Sequence, residues 1–187
     1  MKKLLIVIGI VISTCSCSTT IKVTEDNKEV NGFRYNNGSV TWSNIYQFRP
    51  SDFDAVRDWF AKSFVITREN DRSIIGESNK NTLPIRESGV SKMSVVMLFT
   101  YPCIVFFDAD FKEDRYRVTV NQIIWYPDIA ITSYGLSQGI GTMDLNEIAV
   151  KNGGYKSVFY NTSSRDLNSM LSYMFTPKLD DISDEDW

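Results

Sequence analysis

The 187-residue chain contains no histidine and only three cysteines, Cys15, Cys17 and Cys103. The absence of histidine removes the commonest general base near neutral pH and the commonest metal ligand. It also excludes serine–histidine and cysteine–histidine nucleophile pairs. A structural zinc site usually needs four cysteine or histidine ligands, which the three cysteines cannot supply. These absences weigh against an enzyme, and we expect neither a cofactor nor a bound metal.

The sequence also lacks an apolar run long enough for a transmembrane helix near its N-terminus. Residues 4–12 are apolar, but a helix that spans a bilayer of about 30 Å needs about 20 such residues. Lys2 and Lys3 precede the run, which is the arrangement of an export signal. We therefore predict that residues 1–16 are a signal peptide.

Two cysteines follow the apolar run, with one residue between them. A signal that leads directly into a cysteine resembles the lipobox of bacterial lipoproteins, in which the first cysteine of the mature chain carries diacylglycerol and a further acyl chain. The residue before the cleavage site has to be small, and Ser16 before Cys17 meets this better than the bulkier Thr14 before Cys15. Cys17 is the predicted lipid attachment site. Cys15 is the alternative, because Ile12 then stands suitably three residues upstream.

A lipid on Cys17 would anchor the protein to a membrane of the cell envelope. We favour the outer membrane, with the domain facing either the periplasm or the cell surface. The formal net charge is −3, and removal of Lys2 and Lys3 makes it more negative. Nucleic-acid binding depends on a basic surface, so no nucleic-acid partner is expected. The predicted partners are the membrane, through the lipid, and an envelope protein or glycan.

The mature chain begins with polar residues that precede the first strand pattern. We interpret residues 17–39 as the anchor and a tether, with Asn36-Asn37-Gly38 as the first turn of the domain. Residues 40–178 suit a single α+β domain. Residues 179–187 are acidic and are predicted to form a tail.

Four stretches of the domain have the pattern of β-strands, namely residues 40–48, 72–78, 104–111 and 116–124. The last two are joined by the charged residues 112–114 and predict an antiparallel hairpin with one solvent-exposed face. Residues 126–160 predict only a hairpin or an irregular excursion, with a tight turn at Asn152-Gly153-Gly154.

Two stretches have the spacing of amphipathic helices. The first has an apolar stripe over residues 53–64 and follows Ser51, a good N-cap residue. The second has its stripe over residues 167–174, preceded by Ser163 and Asp166 as a capping pair. Two helices and an antiparallel sheet predict an α+β fold in which the helices cover one face of the sheet.

Three short motifs occur in order along the domain. They are Trp59-Phe60 in the first helix, Ile74-Ile75-Gly76 in a strand and Arg115-Tyr116-Arg117 in the hairpin. In this order they resemble a family of exported bacterial proteins, described as a domain of unknown function with a TATA-binding-protein-like fold. The resemblance covers about residues 40–125. It implies a curved antiparallel sheet with two helices packed on one face, and it implies no catalytic residue and no DNA binding.

Charged residues of the predicted hairpin are the candidate site. Asp108 and Asp110 share one face, and Arg115 and Arg117 share a face across the hairpin from them. Opposite charges across strands favour structural pairing, and the four residues are also a candidate recognition patch on the open side of the sheet. We therefore expect a non-catalytic binding or scaffolding module. The alternative is a hydrolase or metal-dependent enzyme that uses Asp108 and Asp110 in an enclosed pocket with raised pKa values.

Three further residues bear on function. Cys103 follows a proline beside an apolar run and is predicted to be a buried small hydrophobe. A pocket between helix and sheet, lined by residues such as Trp42 or Trp59, would instead indicate a protein that binds a small molecule.

Overall fold

The computed structural model of the chain describes residues 19–91, 95–127, 129–132, 135–138 and 141–179. Its strands and helices are, in chain order, β1 (Thr20–Lys22), β2 (Glu29–Val30), β3 (Phe33–Asn36), β4 (Ser39–Gln47), α1 (Phe53–Ser63), β5 (Val65–Asn70), β6 (Ser73–Glu77), β7 (Cys103–Lys112), β8 (Arg115–Trp125), β9 (Ile129–Thr132), β10 (Gly135–Gln138), β11 (Met143–Asp144), α2 (Leu145–Ala149), β12 (Val150–Lys151), β13 (Gly154–Lys156) and α3 (Ser164–Met174). The predicted signal peptide, both candidate lipid-bearing cysteines and most of the predicted acidic tail lie outside the described residues.

The main sheet is antiparallel and has the strand order β2-β3-β4-β8-β7-β6-β5, with β11 also paired to β8. The predicted hairpin forms its centre, because β7 and β8 pair along almost their whole length. A smaller sheet has the order β1-β13-β12, and β9 pairs with β10. The predicted α+β class is confirmed.

The central strands turn alternate side chains into the core. Tyr116, Val118 and Val120 of β8 are buried, whereas Arg117 between them is exposed. The alternation shifts at a bulge, where Phe106 pairs with Gln122 but Phe107 pairs with Val120. The β8 residue between Val120 and Gln122 has no partner in β7, and the alternation between inward and outward side chains resumes after it.

The longer helices lie on the inner face of the main sheet. α1 buries Val56 and Phe60, and Phe175, which follows α3, is wholly buried. The ring centroid of Phe175 lies 5.0 Å from that of Phe107 and 5.2 Å from that of Phe64. Aromatic contacts of this kind hold the helices on the sheet, as predicted. None of the helices within the described residues is long and apolar enough to cross a bilayer.

Both predicted helix caps are wrong, because each helix has already begun. A turn of 3₁₀ helix at Pro50–Asp52 precedes α1, and the Ser51 hydroxyl donates to the Asp52 carboxylate at 3.0 Å rather than capping. A π-helical stretch, Phe159–Ser163, leads into α3, and Ser163 has helical angles of φ −63° and ψ −33°. A residue within a continuous helix cannot serve as its cap.

The prediction of a tether over residues 17–39 is wrong for residues 20–36, which form β1, β2 and β3. Phe33 is wholly buried, and its ring meets that of Phe159 edge-on with centroids 5.2 Å apart. Positive φ angles at Asn31 and Gly32 close a tight hairpin between β2 and β3. The predicted turn at Asn37-Gly38 is present and joins β3 to β4.

The region predicted only as a hairpin or an irregular excursion contains two hairpins with α2 between them. The predicted turn at Asn152-Gly153 connects β12 to β13, with φ angles of 51° and 75°. The Asp144 side chain caps α2 by accepting a hydrogen bond from the Glu147 backbone N–H at 3.0 Å.

Candidate functional site

The outer face of the main sheet carries the charged residues that the sequence singled out. The pleat points Ile45 of β4, Arg117 of β8 and Asp110 of β7 away from the helices. These three residues are direct neighbours in one row, since Arg117 pairs with Ile45 on one side and Asp110 on the other. Ile45 is 59% exposed, which is unusual for an isoleucine in a central strand.

We call Ile45, Asp110, Lys112, Arg115 and Arg117 the open-face patch. Together with Tyr116, these residues line a depression of about 260 Å³. The patch therefore combines one apolar side chain with three cations and one carboxylate, all accessible to solvent.

The predicted pairing across the hairpin is present for one arginine. The Arg117 guanidinium donates to the Asp110 carboxylate, with Nη2 and Oδ2 2.9 Å apart. The two side chains are 57% and 53% exposed. An ion pair this exposed contributes at most about 1 kcal/mol to stability, so it orients the two groups more than it holds the fold.

Asp108 does not contact either arginine. It lies opposite Thr119 in the ladder, and its carboxylate accepts a hydrogen bond from the Asn121 amide at 2.7 Å. Asp108 is therefore a neighbour of the open-face patch rather than part of it.

Arg115 also departs from the predicted pairing. Register places it opposite Lys112, and its Nε lies 3.3 Å from a carboxylate oxygen of the adjacent Asp114. Like charges directly opposite one another destabilise a strand pair. The register thus places two cations opposite one another at the end of the hairpin.

A second, larger concavity adjoins the open-face patch at the tip of the hairpin. It has a volume of about 920 Å³ and includes side chains from the start of α1, the β5–β6 turn and the hairpin itself. The lining residues are Pro50, Phe53, Asp71, Arg72, Phe111, Lys112, Glu113, Asp114 and Arg115. Lys112 and Arg115 line both concavities, so the two form one continuous charged surface.

The geometry does not favour the alternative of an enzyme built on Asp108 and Asp110. That chemistry requires carboxylates enclosed in a pocket, where burial separates their pKa values. Here Asp110 is half exposed and paired with Arg117, and Asp108 is bound by an amide. Within the described parts of the chain, no three acidic or cysteine side chains approach one another as metal ligands do.

The tryptophans proposed for a small-molecule pocket belong to the core. Trp42 is wholly buried, and its indole N–H donates to the Asn168 amide oxygen at 2.8 Å. Trp59 packs edge-on against Phe60 and Phe64, with centroids 5.0 and 5.5 Å away. Neither lines the concavities described above.

Cys103 is 1% exposed, as the sequence predicts. Burial raises the pKa of its thiol to about 12, so the thiolate that would react is not populated at neutral pH.

Two members of the open-face patch, Ile45 and Lys112, were not candidate site residues on the sequence. The signal for Ile45 was the pleat, because a residue at an odd spacing from the inward-facing Val40 and Trp42 points outward. Lys112 could be placed in the patch only with the exact register of the hairpin, and the charged turn alone does not determine that register.

No protein-family model matches this chain, and no curated protein matches it. Two solved structures are similar to it. One is a TBP-like protein from Parabacteroides distasonis, with a TM-score of 0.40 and 15% identity, over 75% of this chain and 87% of the other. Another is a DUF4468 family protein from Bacteroides ovatus, with a TM-score of 0.40 and 11% identity, over 83% of this chain and 98% of the other.

Proposed function

We propose that this protein is a cell-envelope lipoprotein, acylated at Cys17, whose domain is a non-catalytic binding module. Its binding surface is the open-face patch together with the adjoining concavity at the hairpin tip. Its partner is an envelope protein that presents an acidic group beside an apolar side chain. The observation that carries the proposal is the exposed Ile45 in one row with Arg117, next to the opposed cations Lys112 and Arg115.

The composition of the surface supports binding rather than catalysis. Arginine is enriched at protein interfaces, and the buried centre of an interface is more apolar than the rest of the surface. The guanidinium fork of arginine matches a carboxylate in two-point geometry. The Arg115 guanidinium pairs with its sequence neighbour Asp114, with Nε and Oδ1 3.3 Å apart. A partner carboxylate placed between Arg115 and Lys112 would relieve the repulsion between these two cations.

The lipid anchor is supported by the order of features in residues 1–17. Lys2 and Lys3 precede the apolar residues 4–12, and the small Ser16 stands directly before Cys17. Thr19 is bonded to the domain through Ser157, so an acyl group on Cys17 would hold the domain close to the membrane.

Metabolic labelling with a clickable fatty acid tests the anchor. We expect label on the wild type and on Cys15→Ala, and none on Cys17→Ala. Label that survives Cys17→Ala but is lost in Cys15→Ala would move the anchor to Cys15. An unlabelled wild type would refute the lipoprotein proposal.

A charge reversal that keeps the ion pair tests the binding surface. In the double variant Asp110→Arg/Arg117→Asp the cross-strand pair is rebuilt with opposite polarity, so the fold is expected to persist. A photo-crosslinking residue at Ile45 reports partner contact in cells, and the same residue at Met97, which is 53% exposed, serves as a matched control.

We expect a discrete crosslinked product from position 45 and none from position 97. The product should be lost in the double variant, while circular dichroism and the melting temperature stay near those of the wild type. A crosslink that persists in the folded double variant would show that the patch is not the recognised surface.

A further inference from the structure

The point at which the N-terminal segment enters the domain is fixed by two hydrogen bonds. The Thr19 hydroxyl donates to the Ser157 hydroxyl at 2.9 Å, and the Ser157 backbone N–H donates to the Thr19 carbonyl at 3.0 Å. β1 then pairs with β13 over Thr20–Lys22. Only Ser18 therefore lies between Cys17 and a residue that the fold holds in place.

Covalent geometry limits how far the anchor can be from the domain. A fully extended chain spans at most about 3.6 Å per residue, so the Cα atom of Cys17 lies within about 7 Å of that of Thr19. A lipid on Cys17 is inserted in the membrane, and the surface around Thr19 is consequently held at the headgroups. One intervening residue is too short a linker for the domain to turn this surface away from the membrane.

The small sheet next to this point has two chemically different faces. Ile21 and Tyr155, which pair across β1 and β13, point to the core. The other face carries Lys22, Lys151 and Lys156. Lys22 and Lys151 flank Gly154 in one row, and Lys156 lies opposite Thr20 in the next.

These three lysines form a local basic face on an acidic protein. The Lys156 ammonium donates to the backbone carbonyl oxygen of Glu147 of α2, and Lys22 is exposed. Glu25, downstream of β1, is already paired with Lys28. Lys22 lies within about 10 Å of Thr19 along β1, which is about one Debye length at 0.1 M salt.

An exposed apolar side chain stands beside the anchor point. Val158 follows Ser157 directly and is 60% exposed. It lies at the start of the helical segment that leads to α3. An apolar side chain at this position can enter the headgroup boundary, while lysines nearby attract anionic lipid.

We propose that Thr19, Val158 and the lysine face of the small sheet form a membrane-contacting surface, which docks the domain in one orientation on an anionic lipid bilayer. This inference rests on the proposed acylation of Cys17. In this orientation the open-face patch is remote from the lipid. The Val40 backbone N–H donates to the Asn146 side chain of α2, the helix that leads directly into β12 of the small sheet, and Ile45 lies about 17 Å further along β4.

Fluorescent labels on matched positions of the acylated full chain test the orientation. A polarity-sensitive dye is attached at Val158→Cys or at Ile45→Cys, two apolar sites that are 60% and 59% exposed. Buried Cys103 does not compete for the label. The protein is reconstituted in vesicles of phosphatidylcholine with phosphatidylglycerol, which contain a lipid-bound quencher in the headgroup region.

We expect strong quenching at position 158 and none at position 45. A flexible insertion of about ten Gly/Ser residues between Ser18 and Thr19, which spans roughly 17 Å, should reduce the quenching at 158. Lys22→Glu should reduce the quenching at position 158 in anionic vesicles, towards the level seen in pure phosphatidylcholine.

Intact mass separates the two ways in which the proposal can fail. Equal quenching at the two positions, or stronger quenching at position 45, in a chain whose mass includes the acyl groups would overturn the docking surface and leave the anchor standing. A chain without acyl groups would overturn the anchor and, with it, the docked orientation.

Discussion

Gly154→Ala is the substitution that most directly tests how β1 is attached to the domain. A Cβ atom at Gly154 would lie 2.4 Å from the Ile21 carbonyl oxygen and 2.9 Å from the Thr20 methyl group. Side-chain atoms essentially never approach a backbone oxygen so closely. The backbone of β1 cannot give way and stay in register, so the alanine should displace the strand from β13.

The cost follows from what β1 contributes. Displacement loses about two backbone hydrogen bonds worth about 1 kcal/mol each, and exposes the half-buried Ile21 at a cost of about 1 kcal/mol. The freedom regained by three or four residues offsets part of this loss. We expect a net destabilisation of about 2 kcal/mol, or a melting temperature lower by roughly 4–8 °C.

Calorimetry and hydrogen exchange measure the global and the local effect. The amides of residues 20–22 should exchange rapidly in Gly154→Ala, and trypsin should cleave after Lys22. Gly141→Ala is the matched control, because among the described residues nothing beyond its chain neighbours lies within 4 Å of the added Cβ. We expect a change within about 0.5 kcal/mol. An unchanged melting temperature with protected amides in Gly154→Ala would refute the reasoning.

Three further predictions concern the core. Phe175→Ala should destabilise the domain by about 3–5 kcal/mol, measured by denaturant unfolding; a loss below about 1 kcal/mol would show that the ring cluster around Phe175 is not central to the fold. Burial raises the pKa of Tyr46 to about 12 and raises that of Tyr116 as well. The folded state therefore favours the neutral phenols. Their contribution to the free energy of unfolding is complete below pH 10 and is lost as the pH rises towards 12. Unfolding titrations should show that alkaline loss, and stability that stays constant between pH 9 and pH 12 would contradict it. Cys103 should resist thiol reagents at pH 8 until the protein unfolds, and rapid reaction in the native state would contradict its burial.

The sequence predicts those parts of the fold in which the spacing of apolar residues along the chain matches the face that is buried in the folded protein. The alternation in β8 gives its inward face directly, because a residue such as Val118 is both strand-forming and apolar. The helical stripe of α1 is equally direct, since Phe60 lies at its centre and is wholly buried.

The N-terminal strands could not be predicted from the sequence, because tertiary contacts rather than a local pattern stabilise them. β1 and β2 have three and two residues, too few for a period to emerge from the sequence. Asn31-Gly32 was the available signal, since an Asn-Gly pair before Phe33 favours a tight hairpin. This difference bears on the proposed anchor, because a flexible tether and a fixed strand would hold the domain differently at a membrane.

The candidate site was predicted in part for a similar reason. Same-face spacing within a strand places Asp110 and Arg117 on the open face, and their pairing follows from the hairpin. The opposition of Lys112 and Arg115, by contrast, depends on a register that no local signal specifies. The exposure of Ile45 depends on which face the helices cover.

Mass spectrometry of the N-terminal peptide of the protein purified from a bacterial membrane tests the central claim most directly. The account predicts a mature chain that begins at Cys17 and carries diacylglycerol on sulfur and an acyl chain on its amino group. An N-terminal peptide that retains residues 1–16, or that begins at an unmodified Cys17, would contradict it.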